Sequence, residues 1–100
     1  MSLENLKIED FAKCQNQTFL IHVEGREPLE TKLVEVRGLT PADHEPDRRV
    51  PFSLVFEGPL DTPLEQAIFK VENEVLGELD LFVVTVGPAG DSMRHEVVFT

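Results

Sequence analysis

Tryptophan and tyrosine are absent from the chain, and cysteine occurs once among its 100 residues. A single cysteine, Cys14, cannot form an internal disulfide, the bond on which many small secreted folds depend. Without Trp or Tyr, a sugar-binding platform would need phenylalanines that a small core also requires. These absences disfavour both a disulfide-stabilised scaffold and a carbohydrate-binding cleft.

Basic residues are scarce, with 9 Lys and Arg against 19 Asp and Glu, which gives a formal net charge of −10. Such a charge repels phosphate backbones and anionic membrane surfaces instead of neutralising them. The sequence also has neither a charged-then-apolar leader nor an apolar stretch of ~18 residues. We therefore expect a cytoplasmic protein that binds neither nucleic acid nor a membrane.

Motifs that bind an organic cofactor are missing as well. The segment GPAG at residues 87–90 resembles a loose phosphate-binding loop, but it lacks the lysine, the glycine spacing and a following helix. The sequence therefore predicts that the protein has no cofactor.

Hydrophobic residues make up 41% of the chain, which is enough to form one core. A chain of this length forms one domain, and we assign residues 1–100 to it. Alternation is clearest in VPFSLVFEG at residues 50–58, where Phe52, Leu54 and Phe56 share a face. Glycines and prolines separate such segments at short intervals, with no long helices between them. The pattern predicts a mainly β domain, a small antiparallel barrel or sandwich of about six strands with a short N-terminal helix.

The longest apolar run, GELDLFVVTVGPAGDSMRHEVVF at residues 77–99, is interrupted in the middle. Both faces of its first half are apolar, with Leu81 and Val83 on one face and Phe82 on the other. Such a strand is typical of a sheet that is covered on both sides, here by the short helix or by curling of the sheet. We predict a hairpin with a six-residue turn, GPAGDS, at residues 87–92. The predicted core residues are Phe19, Ile21, Phe52, Leu54, Phe56, Leu81, Val83, Val97 and Phe99.

Three segments share their order and motifs with a known family. They are NLKIEDF at residues 5–11, RRVPFSLVFEGP at residues 48–59 and the hairpin at residues 77–99. In these segments the chain resembles a family of short bacterial proteins of unknown function. The resemblance implies a compact β domain and transfers no catalytic residue. It also implies a structural setting, because relatives are associated with bacterial or prophage tail-like and surface assemblies.

Residue types for nucleophilic catalysis are present, but not in a catalytic pattern. The candidate nucleophiles and bases are Ser53, Ser92, Cys14, His22, His44 and His95. None of them lies in a nucleophile-elbow or cysteine-protease motif. Glu78 and Asp80 point the same way on one strand, as paired glycosidase acids must, but aromatics to line a cleft are lacking. We therefore expect no enzymatic activity, and we expect His95 to be a partly buried, hydrogen-bonded histidine.

One local cluster has the residue types of a metal site. Its members are Asp43, His44, Glu45 and Asp47, in a loop stiffened by prolines. Imidazole and carboxylate groups bind divalent cations, so these residues are the candidate metal ligands. Adjacent residues of an extended loop point in different directions, however, and a solvated charged loop explains the same composition.

Two functional hypotheses follow. The first is a non-enzymatic structural or protein-interaction module that docks another chain, or a copy of itself, through a sheet edge or an acidic face. Its setting, by resemblance, is a bacterial or prophage tail-like assembly, and its acidity favours a basic partner surface. The alternative is a β-barrel that binds a small ligand in its interior or a divalent metal at residues 43–47.

Overall fold

The computed structural model describes residues 6–39 and 51–99, which form one short helix and six strands. In chain order the elements are α1 (Ile8–Ala12), β1 (Thr18–His22), β2 (Leu29–Gly38), β3 (Phe52–Pro59), β4 (Ala67–Asn73), β5 (Gly77–Ala89) and β6 (Ser92–Phe99).

The strands close into an antiparallel barrel in the order β1-β2-β3-β6-β5-β4. Closure comes from the pairing of β4 with β1, in which Ile21 lies opposite Val71. The prediction of a mainly β antiparallel fold is confirmed, and the barrel is the correct choice between barrel and sandwich. Because a closed barrel pairs both sides of each strand, docking through a sheet edge is disfavoured for the described strands.

The alternation of side chains along each strand fills the interior of the barrel. In β1, Phe19 and Ile21 are fully buried while Thr18 is exposed. Inside the barrel the rings of Phe19 and Phe56 meet edge to face, with their centroids 5.1 Å apart. All of the predicted core residues are buried, namely Phe19, Ile21, Phe52, Leu54, Phe56, Leu81, Val83, Val97 and Phe99.

The helix α1 closes one end of the barrel. Its first turn is capped by Asp10, whose Oδ2 accepts a hydrogen bond from the Lys7 backbone N–H at 2.8 Å. Phe11 is the buried residue of this helix, and its ring centroid lies 5.7 Å from that of Phe52 and 5.2 Å from that of Phe99. Because Phe52 begins β3 and Phe99 ends β6, the helix packs where these strand ends meet. Within residues 6–39 and 51–99, no helix has the length and apolar character needed to cross a membrane.

The C-terminal hairpin is longer than the sequence pattern indicates. Strand β5 continues to Ala89 and β6 begins at Ser92, so that Gly90 and Asp91 form the turn. Gly90 has a φ of +61°, a left-handed conformation that glycine adopts without strain. The prediction of a six-residue turn is therefore wrong. Gly87 and Pro88 pair with β6 instead, in a ladder whose register shifts between Thr85 and Gly87.

The outer face of β5 also differs from the prediction. Phe82 remains 49% exposed and Val86 55% exposed, although the sequence pattern predicts that both faces are covered. The helix does not cover them, because its buried residue packs against the ends of β3 and β6. The barrel wall therefore presents apolar side chains to solvent.

Candidate functional site

An exposed strip of apolar side chains crosses three neighbouring strands of the barrel wall. Ile68 on β4 lies opposite Phe82 on β5, and both side chains are exposed. Val84 lies two residues beyond Phe82 on the same face of β5 and is half-buried. Its partner on β6 is Glu96, and Val98 lies two residues beyond Glu96 on the same face. We call Ile68, Phe82, Val84 and Val98 the apolar strip.

Three potential metal ligands converge farther along the same outer wall. His22 Nε2 lies 2.9 Å from Glu72 Oε1, and one ligand atom from each of His22, Glu72 and Glu78 lies within 4.8 Å of the others. The three residues belong to β1, β4 and β5, which are adjacent in the barrel. His22 and Glu72 are half-buried, whereas Glu78 is exposed. We call these residues the His-Glu-Glu cluster.

A groove with a volume of about 510 Å³ borders the same cluster. Its lining residues are Asn16, Gln17, Thr18, Leu20, Glu72, Asn73 and Glu74. Most of these side chains carry amide, hydroxyl or carboxylate groups. Because Glu72 belongs both to the groove and to the cluster, a ligand held in the groove lies at the edge of the cluster that Glu72 forms.

Asn73 organises the polar end of this groove and is itself buried, with 3% of its surface exposed. Its Nδ2 donates to the Thr18 carbonyl at 3.0 Å and to Gln17 Oε1 at 3.2 Å. Its Oδ1 accepts hydrogen bonds from the backbone N–H groups of Val75 at 2.8 Å and Leu76 at 3.1 Å. One side chain therefore ties the start of β1 to the turn between β4 and β5.

The candidate nucleophiles Cys14 and Ser53 are both buried. Cys14 Sγ lies 3.7 Å from Asn73 Oδ1, in the position of a weak S–H donor. Burial raises the pKa of the Cys14 thiol, and the negative charge of Asp10 raises it further. The reactive thiolate is thereby disfavoured, and Cys14 packs as a small buried residue.

His95 is fully buried inside the barrel, whereas the sequence predicts partial burial. Its Nδ1 lies 2.8 Å from Thr85 Oγ1, which also accepts a hydrogen bond from the Leu64 backbone N–H at 2.9 Å. The Thr85 hydroxyl needs an acceptor for its own proton, and His95 Nδ1 can be that acceptor. In this arrangement the imidazole proton is on Nε2. Nε2 has no hydrogen-bond partner among the described residues, and a Cβ added at Gly58 would lie 3.6 Å from it. Burial lowers the pKa of His95, so the neutral ring is favoured.

This burial makes the stability of the barrel depend on pH. The pKa of His95 is lower in the folded chain than its ordinary value of 6.5, so the unfolded chain binds the proton more readily. The free energy of unfolding is therefore expected to hold above pH ~6.5 and to fall as the pH drops below that value, with a slope of at most about 1.4 kcal/mol per pH unit. Urea titrations between pH 7.5 and pH 5.5 measure this slope.

The His95→Leu variant distinguishes this source of pH dependence from others. It removes the titrating ring and is expected to flatten the slope, whatever its effect on absolute stability. Met93→Leu serves as the control, because it changes a buried side chain of the same strand that does not titrate, and it should retain the slope of the unmodified chain. An unchanged slope in His95→Leu would show that other groups cause the acid sensitivity.

Most of the His-Glu-Glu cluster escapes sequence reasoning. The sequence-predicted metal ligands at residues 43–47 lie outside the described residues. Glu78 and Asp80 share the exposed outer face of β5, as predicted, and Glu78 joins the cluster. His22 and Glu72 are 50 residues apart in the chain, so their contact depends on barrel closure. One sequence feature could have identified this pair. In two strands with alternating buried and exposed residues, His22 and Glu72 both occupy outward-facing positions.

Comparison with protein families gives a match to a domain of unknown function, DUF6916, over residues 6–99. The chain belongs to this family. The DUF6916 domain includes the helix, all the described strands, the apolar strip and the His-Glu-Glu cluster. Membership of an uncharacterised family, as predicted from the motifs, is thus confirmed. No curated protein and no solved structure matches the chain.

Proposed function

We propose that this DUF6916 domain is a non-enzymatic protein-interaction module that associates with a second copy of itself through the apolar strip. The exposure of the strip carries the proposal, since Ile68, Phe82 and Val98 are 69%, 49% and 52% exposed. Contiguous apolar patches on soluble monomers often mark interaction sites. Because the described strands are paired on both sides, an outer face is the surface on which docking can occur.

Burial of the strip supplies the driving force for association. Complete burial of one large apolar side chain contributes about 1.5–3 kcal/mol, and the side chains of the strip are already partly covered. Association also costs about 4–15 kcal/mol in lost translational and rotational freedom. We therefore expect a weak dimer, with a dissociation constant of about 10–1,000 µM. Phe82 is the expected hot spot, because aromatic residues are enriched among the residues that dominate interfaces.

Charges beside the strip favour a second copy as the partner. Next to the pair of Ile68 and Phe82 on the same outer face, Lys70 on β4 lies opposite Asp80 on β5, and both side chains are exposed. In a two-fold symmetric dimer the same patch faces itself, so Lys70 of one copy can approach Asp80 of the other. The net charge of −10 on each chain opposes association, and salt screens this long-range repulsion. The dimer is therefore expected to strengthen as the salt concentration rises from low values.

Sedimentation equilibrium over a concentration series tests the proposal. We expect a monomer–dimer equilibrium at a salt concentration of about 0.15 M and a larger monomer fraction at about 0.01 M. Phe82→Ala is expected to weaken dimerisation about ten-fold, equivalent to about 1.4 kcal/mol. Val75→Ala is the control, because Val75 is 61% exposed but lies outside the strip, and this variant should dimerise like the unmodified chain.

Three outcomes would contradict self-association through the strip. One is a chain that stays monomeric at concentrations up to about 1 mM, since this lies at the weak end of the expected range. Another is a dimer that Phe82→Ala leaves intact. The third is a dimer that Val75→Ala weakens as much as Phe82→Ala does.

The other parts of the proposal rest on different support. A non-enzymatic role agrees with the burial of Cys14 and with the raised pKa of its thiol. A cytoplasmic location draws its support from the single cysteine, which cannot form an internal disulfide. A bacterial or prophage tail-like assembly draws its support from the motif resemblance, and a self-associating module suits a repeating assembly. Its test is whether a tagged chain sediments together with assembled tail-like particles.

The alternative function, ligand binding by the barrel, has uneven support. Phe19 and Phe56 fill the interior with rings in contact, which disfavours a small-ligand cavity between them. The metal-binding form of this alternative is favoured by the His-Glu-Glu cluster, whose residues differ from the sequence-predicted ligands.

A further inference from the structure

We propose that His22, Glu72 and Glu78 bind a divalent transition-metal ion, with zinc as the ion that best fits the site. This site is separate from the apolar strip and does not depend on dimer formation. It is also distinct from the sequence-predicted ligands at residues 43–47.

The backbone ladder preorganises the three ligands. Glu72 on the central strand β4 lies opposite Leu20 of β1 and opposite Glu78 of β5. His22 lies two residues beyond Leu20 on the same outer face of β1, which places it diagonally beside Glu72. Because hydrogen-bonded strands fix these positions, little backbone ordering is needed when an ion binds.

The distances between ligand atoms suit a small ion. Ligands at 2.0–2.2 Å from a tetrahedral zinc ion lie ~3.3–3.6 Å from one another. His22 Nε2 and Glu72 Oε1 are 2.9 Å apart, a hydrogen-bond distance, so a bound ion replaces the proton that they share. Ligand atoms of all three residues lie within 4.8 Å of one another. Glu78 is exposed, so its side chain can change rotamer when an ion binds.

The chemistry of the donor set selects the class of metal. One imidazole nitrogen and two carboxylates form a mixed nitrogen and oxygen site, which suits zinc and neighbouring transition metals. Calcium takes six to eight oxygen ligands, and magnesium keeps an octahedral shell of oxygens and water. The cluster therefore favours zinc over both of these hard cations.

The groove beside the cluster leaves room for a further ligand at the site. Three protein ligands leave one position of a tetrahedral ion open, as in catalytic and ligand-binding zinc sites. The polar groove of about 510 Å³ has Glu72 in its wall and Asn73 and Gln17 among its lining residues. Water, or a carboxylate of a bound molecule, can therefore approach the open position from the groove.

Charge around the site also favours a cation. The chain carries a net charge of −10, and two of the three ligands are carboxylates. The closest cation in the strand register is Lys70, which lies opposite both His22 and Asp80. Asp80 offsets the charge of Lys70, so a divalent ion meets a surface of negative sign.

Isothermal titration calorimetry with zinc chloride tests the site in the full chain. We expect saturable binding of one zinc ion per chain, and much weaker binding of magnesium and calcium chlorides. His22→Gln and Glu78→Gln are each expected to weaken zinc binding by at least about ten-fold, the lower end of the effect of losing even a supporting group at a metal site. The glutamine of His22→Gln can still donate a hydrogen bond to Glu72, so this contact between β1 and β4 can be retained.

Two control variants locate the site. Asp80→Asn removes a carboxylate next to the cluster and should leave zinc affinity within about three-fold, since nearby exposed charges act weakly in salt. His44→Gln tests the loop at residues 43–47 and should likewise leave the affinity unchanged. Melting temperatures without zinc verify that each variant is folded.

Cobalt(II) supplies a readout that does not depend on affinity. A cobalt ion bound by His22 is expected to broaden and shift the NMR signals of that imidazole far more strongly than those of the other two of the three histidines, because paramagnetic effects fall steeply with distance. The absence of zinc binding at millimolar concentration, or equal binding by His22→Gln and the unmodified chain, would overturn the proposal. Loss of binding in His44→Gln alone would overturn it in favour of the loop.

Discussion

Replacement of Phe11 by alanine is expected to lower the free energy of unfolding by about 3–5 kcal/mol, the range found when a fully buried phenylalanine is truncated. Phe11 is fully buried and is the residue through which α1 joins the core. Its ring packs against those of Phe52 and Phe99, which are themselves stacked with centroids 4.6 Å apart. A helix of five residues has little stability of its own, so loss of this contact also releases the helix.

Phe82→Ala is the matched control for Phe11→Ala, because the same atoms are removed from a side chain that is 49% exposed. At a protein concentration low enough to keep the chain monomeric, it should cost less than about 1 kcal/mol. Urea denaturation of both variants gives the comparison. Equal losses in the two variants would show that the helix does not close the barrel end as described.

Asn73→Ala is expected to cost about 2–4 kcal/mol, because several buried groups lose their partner at once. The backbone N–H groups of Val75 and Leu76 lose the oxygen that accepts their hydrogen bonds. The Thr18 carbonyl loses its donor on the other side of the side chain. Removal of one partner leaves these groups desolvated, which costs more than a hydrogen bond contributes on average.

Asn73→Asp separates the two halves of this network. A carboxylate still accepts from Val75 and Leu76 but cannot donate to the Thr18 carbonyl, so the turn between β4 and β5 is retained while its link to β1 is lost. Relative to the unmodified chain, the rate of amide hydrogen exchange is expected to increase more at β1 than at the turn. Equal stability of Asn73→Ala and the unmodified chain in urea would refute the role assigned to Asn73.

The fold could be predicted because its information is local. In β1 and β6, apolar residues at every second position identify the strands and also the residues that enter the core, such as Ile21 and Val97. The choice between barrel and sandwich could not be made in this way. It depends on the pairing of β1 with β4, for example Ile21 with Val71, and such non-local pairing leaves no period in the sequence.

The outer face of β5 shows the limit of the same rule. Apolar residues on both faces of a strand are typical of coverage on both sides, yet Phe82 and Val86 remain exposed. The pattern correctly marks these residues as unusual, but it does not distinguish cover by the chain itself from cover by a partner. The sequence therefore shows that Phe82, a member of the apolar strip, lies on the second apolar face of β5, but it does not show what covers that face.

The candidate metal site could be predicted least. Its ligands come from three strands, and the contact between His22 and Glu72 spans 50 residues. A sequence alone identifies potential ligands only when they are close in the chain. It therefore predicted a metal site in the loop at residues 43–47. His95 was closer to prediction, because its apolar same-face neighbours indicate burial, although they do not indicate that one ring nitrogen has no partner among the described residues.

The most direct test of self-association is a dilution series of ¹H–¹⁵N NMR spectra, recorded from about 1 mM to about 10 µM, the range over which the dimer is expected to dissociate. If the chain dimerises through the apolar strip, the amide signals that shift with concentration will cluster around Ile68, Phe82 and Val98. Signals of the buried face and of α1 will stay in place. Spectra that do not change with concentration, or shifts that cluster on another face of the barrel, would contradict the proposed function.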